Sequence, residues 1–557
     1  MTNIKWLLCV LFLTALFGRE AKANTYTAAS CNTSDVQSAI NSAAGGDTVI
    51  IPAGTCTWTS GVSFSGINVK GQGSGRIIAY DNGSESLNVA TGTQTLTIAG
   101  YSPGFSAASI TNGETLQVFP TNAEAYWMQG TVTSLVSGVL TMNITSIGTA
   151  VTGVHRWNIA TISSTVIVNN QASDPNAGPP LFNITESTTV NTSLSGIRVT
   201  QNTGTGPTIF MNYVSASGQA ILIHDNWFDL TGNASVIDAA TSRGVIWNNS
   251  FTGNTANTQM VNSAALGCKM DSPASGQNAW ILPSYWGSLD TTGLYNIYFE
   301  TNDVHAIQNA ANSDSNCRMV WRYNLMDHAE HGSHGADSSN YGQRYFEFYD
   351  NTGVFYGYST PGSCTDNETD ILNCTLNMAN GWSGGVRGGT FVWHDNTLPA
   401  ISSGDYGTRP DIELEVQNLA YNRGPNPCWG AGYTTHGQYY YAPRQVGTGR
   451  VTGTGTANYP PDGVNNSSTD SITYVGDSEP IYIWNNSRTQ TLNLLDSTPS
   501  ACTNNDLIAY YAVSGRDYFN GTAKPSYTPY TYPHPLTLGQ TSGNPPAPPT
   551  GLTASVQ

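Results

Sequence analysis

One short phrase recurs along this chain and limits what it can fold into. Residues 221–226 read Ile-Leu-Ile-His-Asp-Asn, 244–249 Gly-Val-Ile-Trp-Asn-Asn, 297–302 Ile-Tyr-Phe-Glu-Thr-Asn and 319–324 Met-Val-Trp-Arg-Tyr-Asn. Three more copies follow at 346–351, 391–396 and 481–486. Each is a run of period two that closes on asparagine. The third residue before that Asn is Ile223, Ile246, Phe299, Trp321, Phe348, Trp393 or Ile483. The fifth is Ile221, Ile297, Met319, Phe346, Phe391 or Ile481, with Gly244 the one departure. Alternate residues of a strand face opposite sides, so these two apolar columns bury together. Asn226 to Asn249, Asn302 to Asn324 and Asn324 to Asn351 are 23, 22 and 27 residues apart. That is one coil of a solenoid, too short for a βαβ unit and too regular for a sandwich.

The same alignment picks out an outward column, two residues before each Asn: His224, Trp247, Glu300, Arg322, Tyr349, His394 and Trp484. Two readings stay open. Rings of this kind suit any exposed strand face, or they line a groove in which flat rings stack on sugars while charges orient them.

Residues 1–23 read as a secretory signal peptide, with Lys5, an apolar stretch from Trp6 to Gly18 and a small-x-small cleavage site at Ala21-Lys22-Ala23. No later stretch is apolar enough to span a bilayer, so the expected location is extracellular. Eight of the nine cysteines remain after Cys9 leaves. An even count in an exported chain predicts disulfides, and neighbour pairing would join Cys31–Cys56, Cys268–Cys317, Cys364–Cys374 and Cys428–Cys502. The formal net charge of −17 argues against nucleic acid or an anionic membrane as partner. An acidic polysaccharide is not excluded, because local arginines or calcium can override the net sign. The 58 glycines, with abundant Ser, Thr and Asn, suit many turns between short strands.

Residues 34–43 form the clearest helix, with Ser34 or Asp35 as cap and Val36, Ala39, Ile40 and Ala43 on one face. After it come "GDTVIIPAGTCTW" (46–58) and "INVKGQGSG" (67–75). This opening resembles that of right-handed parallel β-helix proteins of the pectate-lyase-like superfamily. The resemblance implies an all-β, right-handed parallel β-helix whose open end the helix covers. Residues 86–165 break the pattern, and "YWMQGTVTSLVSGVLTMNITSIGTAVTGVHRWNIA" (126–160) resembles a small β module of phage tail and tail-spike proteins. The expected organisation is therefore a cap and first coils over 24–85, an inserted β module over 86–165, and the β-helix with a C-terminal strap over 166–540. Residues 541–557 read as a Pro-rich linker leading toward a further module.

Chemistry-bearing residues concentrate in one coil. Asp327, His331 and His334 fall between two copies of the repeat, beside Arg322, Arg344, Glu347 and Tyr349. Loops on a rigid scaffold are where function collects. The expected catalytic set is Asp327, His331, His334, Arg344 and Glu347, and the expected substrate-binding set is Arg322, Tyr349, Arg387, His394, Trp247 and His224. His328, His331 and His334 would share a face only on a helix, which Gly332 and Gly335 oppose, so zinc is disfavoured. Calcium is the one cofactor left open, although no EF-hand or nonapeptide calcium repeat is present.

The resemblance implies a polysaccharide as partner. A lyase needs a proton acceptor and cations facing a uronate carboxylate. A glycoside hydrolase needs two carboxylates, about 5–9.5 Å apart. An adhesive solenoid needs neither. β-Elimination is the leading expectation, with the other two as alternatives.

Overall fold

The computed structural model describes residues 23–81, 86–120, 126–150, 152–154, 157–171, 179–201, 208–212, 218–229, 236–240, 243–252, 266–269, 296–305, 311–314, 318–327, 331–333, 345–354, 389–397, 412–416, 447–452, 475–487, 492–496 and 513–538. Of the expected signal peptide only residue 23 is described, and of the expected Pro-rich linker none. Three sheets of parallel strands, with twelve, eight and seven members, wrap one continuous core. One coil runs Ile221–His224, Trp227–Asp229 and Ile237–Ala240, each pairing in parallel with its counterpart in the next coil. The fold is an all-β solenoid, as the repeats predict.

Both apolar columns face the core. Ile223, Ile246, Phe299, Trp321, Phe348, Trp393 and Ile483 are fully buried, as are Ile221, Ile297, Met319, Phe346, Phe391 and Ile481. Their rings stack between coils, Phe299 on Trp321 at 4.6 Å and Phe348 on Trp393 at 4.2 Å. Gly244 is the exception for a steric reason: a Cβ there would lie 2.1 Å from the Ile221 carbonyl oxygen.

The repeated asparagines explain how each coil turns its corner. The residue before each one, from Asp225 to Asn485, adopts a left-handed conformation, with φ between 52° and 59°. That conformation is tolerated best by short polar residues. The Asn side chains then form a ladder. Asn226, Asn249, Asn302, Asn324, Asn351 and Asn396 each donate to the Oδ1 of the next at 3.0–3.1 Å, ending on Asn486. The backbone N–H of each donates to the same acceptor. The buried corner polar groups are thus satisfied, which a repeating solenoid requires at every coil.

The helix α1 (Thr33–Ser42) buries Val36 and Ile40 at the open end. Asn32, rather than Ser34 or Asp35, is its N-cap, and its side chain makes no capping bond. A disulfide joins Cys31 to Cys56 beside it. The other three pairings lie outside the described side chains.

The inserted module is a closed six-stranded barrel of antiparallel pairs, from Ile77–Asp81 to Trp157–Thr161. It therefore begins before residue 86, inside what the sequence assigns to the first coils. It has its own core, including Leu96, Leu116, Leu140 and Trp157, and a tight Ser137–Gly138 turn with both φ values positive. It is docked on the eight-stranded sheet by a Phe119–Trp227 stack at 5.3 Å and by Ser102, which donates to Asp303 at 2.6 Å.

Candidate functional site

The outward column of the long sheet is continuous. From the first coils it runs Thr27, Ile50, Lys70, Ser195, His224, Trp247, Glu300, Arg322, Tyr349, His394 and Trp484. It points away from the core as expected, but only part of it is open.

After the last strand of the sheet, Tyr518–Asn520, the chain doubles back over that column as a strap. Tyr527 Oη donates to Glu347 at 2.8 Å and lies 3.3 Å from His394 Nε2. Arg322 is fully buried. It pairs with Glu300 at 2.7 Å and donates to Tyr349 Oη and to the carbonyls of Tyr530 and Thr531. The backbone N–H of His534 donates to Glu300. Tyr298, Val320, Tyr349 and Tyr530 build a second apolar cluster between sheet and strap.

These contacts correct the sequence reading. Arg322, Tyr349 and His394, expected to bind substrate, are 0%, 1% and 2% exposed, and Glu347, expected to be catalytic, is 2% exposed. They hold the strap. Burial pushes the Glu347 carboxyl above the usual range, against hydrogen bonds from Tyr345 and Tyr527. Burial and the neighbouring Arg322 charge lower His534 to about 3. The rest of the expected catalytic coil does not converge. Asp327 lies on the eight-stranded sheet and His331 on the seven-stranded one, while His334, Arg344 and Arg387 are outside the described residues.

Toward the first coils the column floors a groove of about 1220 Å³ between the barrel and the strap, with Lys70 exposed and Ser195, His224 and Trp247 reaching it by an edge, each no more than 5% exposed. The floor holds Lys70, Ser195, His224 and Trp247, with Asn68 and Ser193 beside them. Arg76 and Phe105 line the barrel side, and Tyr532 and Thr537 the strap side. Of the residues expected to bind substrate, only His224 and Trp247 are here. Their rings stack at 4.2 Å. Asp225 holds His224 Nδ1 at 2.8 Å and accepts from Asn248, which in turn accepts from Arg76. Burial alone would raise the Asp225 carboxyl, but His224, Arg76 and Asn248 hold it below the usual range.

Asp225 and Asn248 are absent from the sequence-derived set. Their signal is the pairing of His-Asp-Asn with Trp-Asn-Asn one coil later.

Among the described residues no group of three or more His, Cys, Asp or Glu is arranged to hold a metal ion. Both Asp225 oxygens are engaged by His224 and Asn248, and both Glu300 oxygens by Arg322 and His534. No helix among the described residues is long and apolar enough to cross a membrane.

No family model matches the sequence, and no curated protein matches it. Solved structures similar to it are phage tailspikes. Tailspike gp61 of Pseudomonas phage phi297 is 11% identical, with a TM-score of 0.15, over 69% of this chain and 65% of that one. Tailspike gp49 of Pseudomonas phage LKA1 is 12% identical, with a TM-score of 0.20, over 69% and 63%. The gp54 tailspike of Acinetobacter baumannii bacteriophage AP22, solved with a capsular saccharide, is 8% identical, with a TM-score of 0.19, over 70% and 63%. The chain thus spans less than two thirds of the length of each. At these scores the likeness carries no argument about function.

Proposed function

We propose that this is an exported, polysaccharide-active β-helix protein of the pectate-lyase-like kind, and that its glycan lies in the groove over Lys70, Ser195, His224 and Trp247. The observation that carries the reading is the groove itself. It lies on the twelve-stranded parallel sheet, with a stacked imidazole–indole pair among hydroxyls, amides and two cations. Aromatic bodies with a few placed polar groups are how concave sites hold flat polar ligands.

The reaction we attach to it is β-elimination on an acidic glycan. Lys70 and Arg76 supply positive charge for a uronate carboxylate. Hydrolysis would need two available carboxylates, whereas Asp225 and Glu300 are already engaged. Of the catalytic set expected from the sequence, Asp327 and His331 stand on the other two sheets and do not line this groove, so the elimination proposed here is not assigned to them.

The test is a panel of acidic and neutral polysaccharides, each with and without a calcium chelator. Unsaturated ends absorbing in the ultraviolet support elimination. New reducing ends without that absorbance mean hydrolysis, and retained binding without either product means adhesion. Lys70→Ala should weaken binding of acidic glycans while the melting temperature holds. No binding to any glycan would remove the reading.

A further inference from the structure

The His-Asp-Asn and Trp-Asn-Asn pair of the groove occurs a second time, at 394–396 and 484–486. The two copies superpose in their contacts. His394 stacks on Trp484 at 4.2 Å, the separation of His224 from Trp247. Asp395 holds His394 Nδ1 at 2.6 Å and accepts from Asn485, as Asp225 holds His224 and accepts from Asn248. Both aspartates are left-handed, with φ of 54°, and both side chains are 34% exposed.

They differ in what faces the imidazole. In the second copy the strap fills that place. Tyr527 Oη sits 3.3 Å from His394 Nε2 and 2.8 Å from Glu347, and its ring meets His394 and Trp484 edge-on, at 5.1 and 5.6 Å. In the first copy the strap stands to the side, Tyr532, Pro533 and Thr537 walling the groove that His224 and Trp247 line. Glu347 neighbours His394 across the sheet in the register by which Ser193 neighbours His224. Ser193 Oγ donates to Asn68 at 2.7 Å, so its lone pairs remain to accept. Where Tyr349 stacks on His394 at 4.8 Å, the first copy has Ser195, leaving room for a ring.

We propose that His224 and Ser193 together bind a ring-borne hydroxyl of the ligand, seated as Tyr527 Oη is seated between His394 and Glu347. The second copy is then an internally filled version of the site, and the strap supplies its occupant. This rests on the groove being the glycan site and adds which group of the sugar it grips. Ser193 has given its proton to Asn68 and can only accept, so the hydroxyl donates to Ser193 and accepts from Nε2–H of His224, as Tyr527 Oη donates to Glu347 and faces Nε2 of His394. The Trp247 indole receives the edge of the same ring.

Phenol reproduces the head of Tyr527 and is the probe. With imidazole carbons labelled, phenol should shift one histidine signal that is missing in His224→Ala and retained in His394→Ala. Toluene, which lacks the hydroxyl, should bind roughly fivefold more weakly, the scale of one hydrogen bond. In the unaltered protein, phenol protons should show a through-space contact to the Trp247 indole, which needs no variant to fold. Acidic glycan should displace the probe.

A shift that persists in His224→Ala, equal binding of toluene, or no shift at all overturns the proposal. Glycan that binds without displacing phenol overturns it too, while leaving the groove reading in place. Phenol held at His224 with no glycan bound supports the hydroxyl seat and removes the glycan reading alone.

Discussion

One column of side chains on one sheet meets two fates in this molecule. Toward the first coils, Lys70, Ser195, His224 and Trp247 floor an open groove. Further along, Arg322, Tyr349 and His394 occupy the same strand position, yet the strap roofs them, and Glu300 marks the boundary, lining the groove while accepting from the His534 N–H. The strand pattern is identical in the two halves, so it decides only which way a side chain points. Whether that side chain meets solvent, ligand or protein is decided by a segment some 200 residues away, as in the contact of Arg322 with the Tyr530 carbonyl. Chemistry-bearing residues are densest in the roofed half, where buried charges need partners, and not in the half that can receive a ligand.

The largest expected effect separates the halves directly. Arg322→Ala leaves Glu300 buried without its cation, which typically costs about 3–5 kcal/mol, and it frees the strap carbonyls. Lys70→Ala, at an exposed position of the same column, should change stability by no more than about 0.5 kcal/mol. Chemical denaturation of the two variants measures the contrast, and limited proteolysis should find the strap released only in the first. Equal losses would mean that the roofed and open halves are energetically alike.

The asparagine ladder underlies both halves and should not distinguish them. Asn249→Ala and Asn351→Ala each remove a buried amide that accepts from the backbone N–H of the preceding rung and donates to two backbone carbonyls. Each should cost about 1–3 kcal/mol, and by similar amounts. A much larger loss at Asn351 would show the strap reinforcing the ladder beneath it.

How much of this was legible in the sequence follows from the range of each contact. The two core columns and the period of the coil repeat at fixed local offsets, so Phe348 and Trp393 announced themselves. The outward parity of Arg322 and His394 was equally legible. Their cover was not, because nothing near residue 322 signals residues 530 and 531. Clustering of charge in the coil at 322–351 therefore read as a site, whereas Arg322, Glu347 and Tyr349 anchor the strap. The barrel docks through Phe119 on Trp227 and Ser102 on Asp303, again across a separation that no periodicity encodes. His224 and Trp247 are legible by outward parity alone. Asp225 and Asn248 are not, because they sit at the corners, where the strand period no longer defines a face.

A smaller effect comes from the hydroxyl that joins strap to sheet. Tyr527→Phe keeps the ring over His394 and Trp484 but removes the donor to Glu347. The loss should be about 1–3 kcal/mol, the scale of leaving one buried group unsatisfied. Glycan binding in the groove should be unchanged, since no part of Tyr527 lines it. Weakened glycan binding would couple the two halves and break their independence.

The smallest effect is one of sign. Burial holds the Glu347 carboxyl above its ordinary value, despite the hydrogen bonds of Tyr345 and Tyr527 and the charges of Lys524 and His394. A carboxyl raised in the folded state contributes stability that is fully present below its unfolded pKa, and this is lost as pH rises through the folded one. Asp225 is held below the ordinary value, so its contribution is present above the unfolded pKa and lost as pH falls through the folded one. Asp395 is lowered in the same way, beside the strap, and partly offsets Glu347. Acidification from neutrality to about pH 5, just above ordinary carboxylate values, should therefore favour the contact at Tyr527 while leaving the Asp225 unit intact. Hydrogen exchange of residues 525–531 at the two pH values, compared with residues 221–226, reads this difference. Glu347→Gln should weaken the pH dependence of residues 525–531, while Glu300, raised by burial at the His534 end of the strap, keeps its own. If residues 525–531 of the variant tighten on acidification as much as in the unaltered protein, Glu347 is not the group responsible, and the contrast between the halves has no electrostatic part at this position.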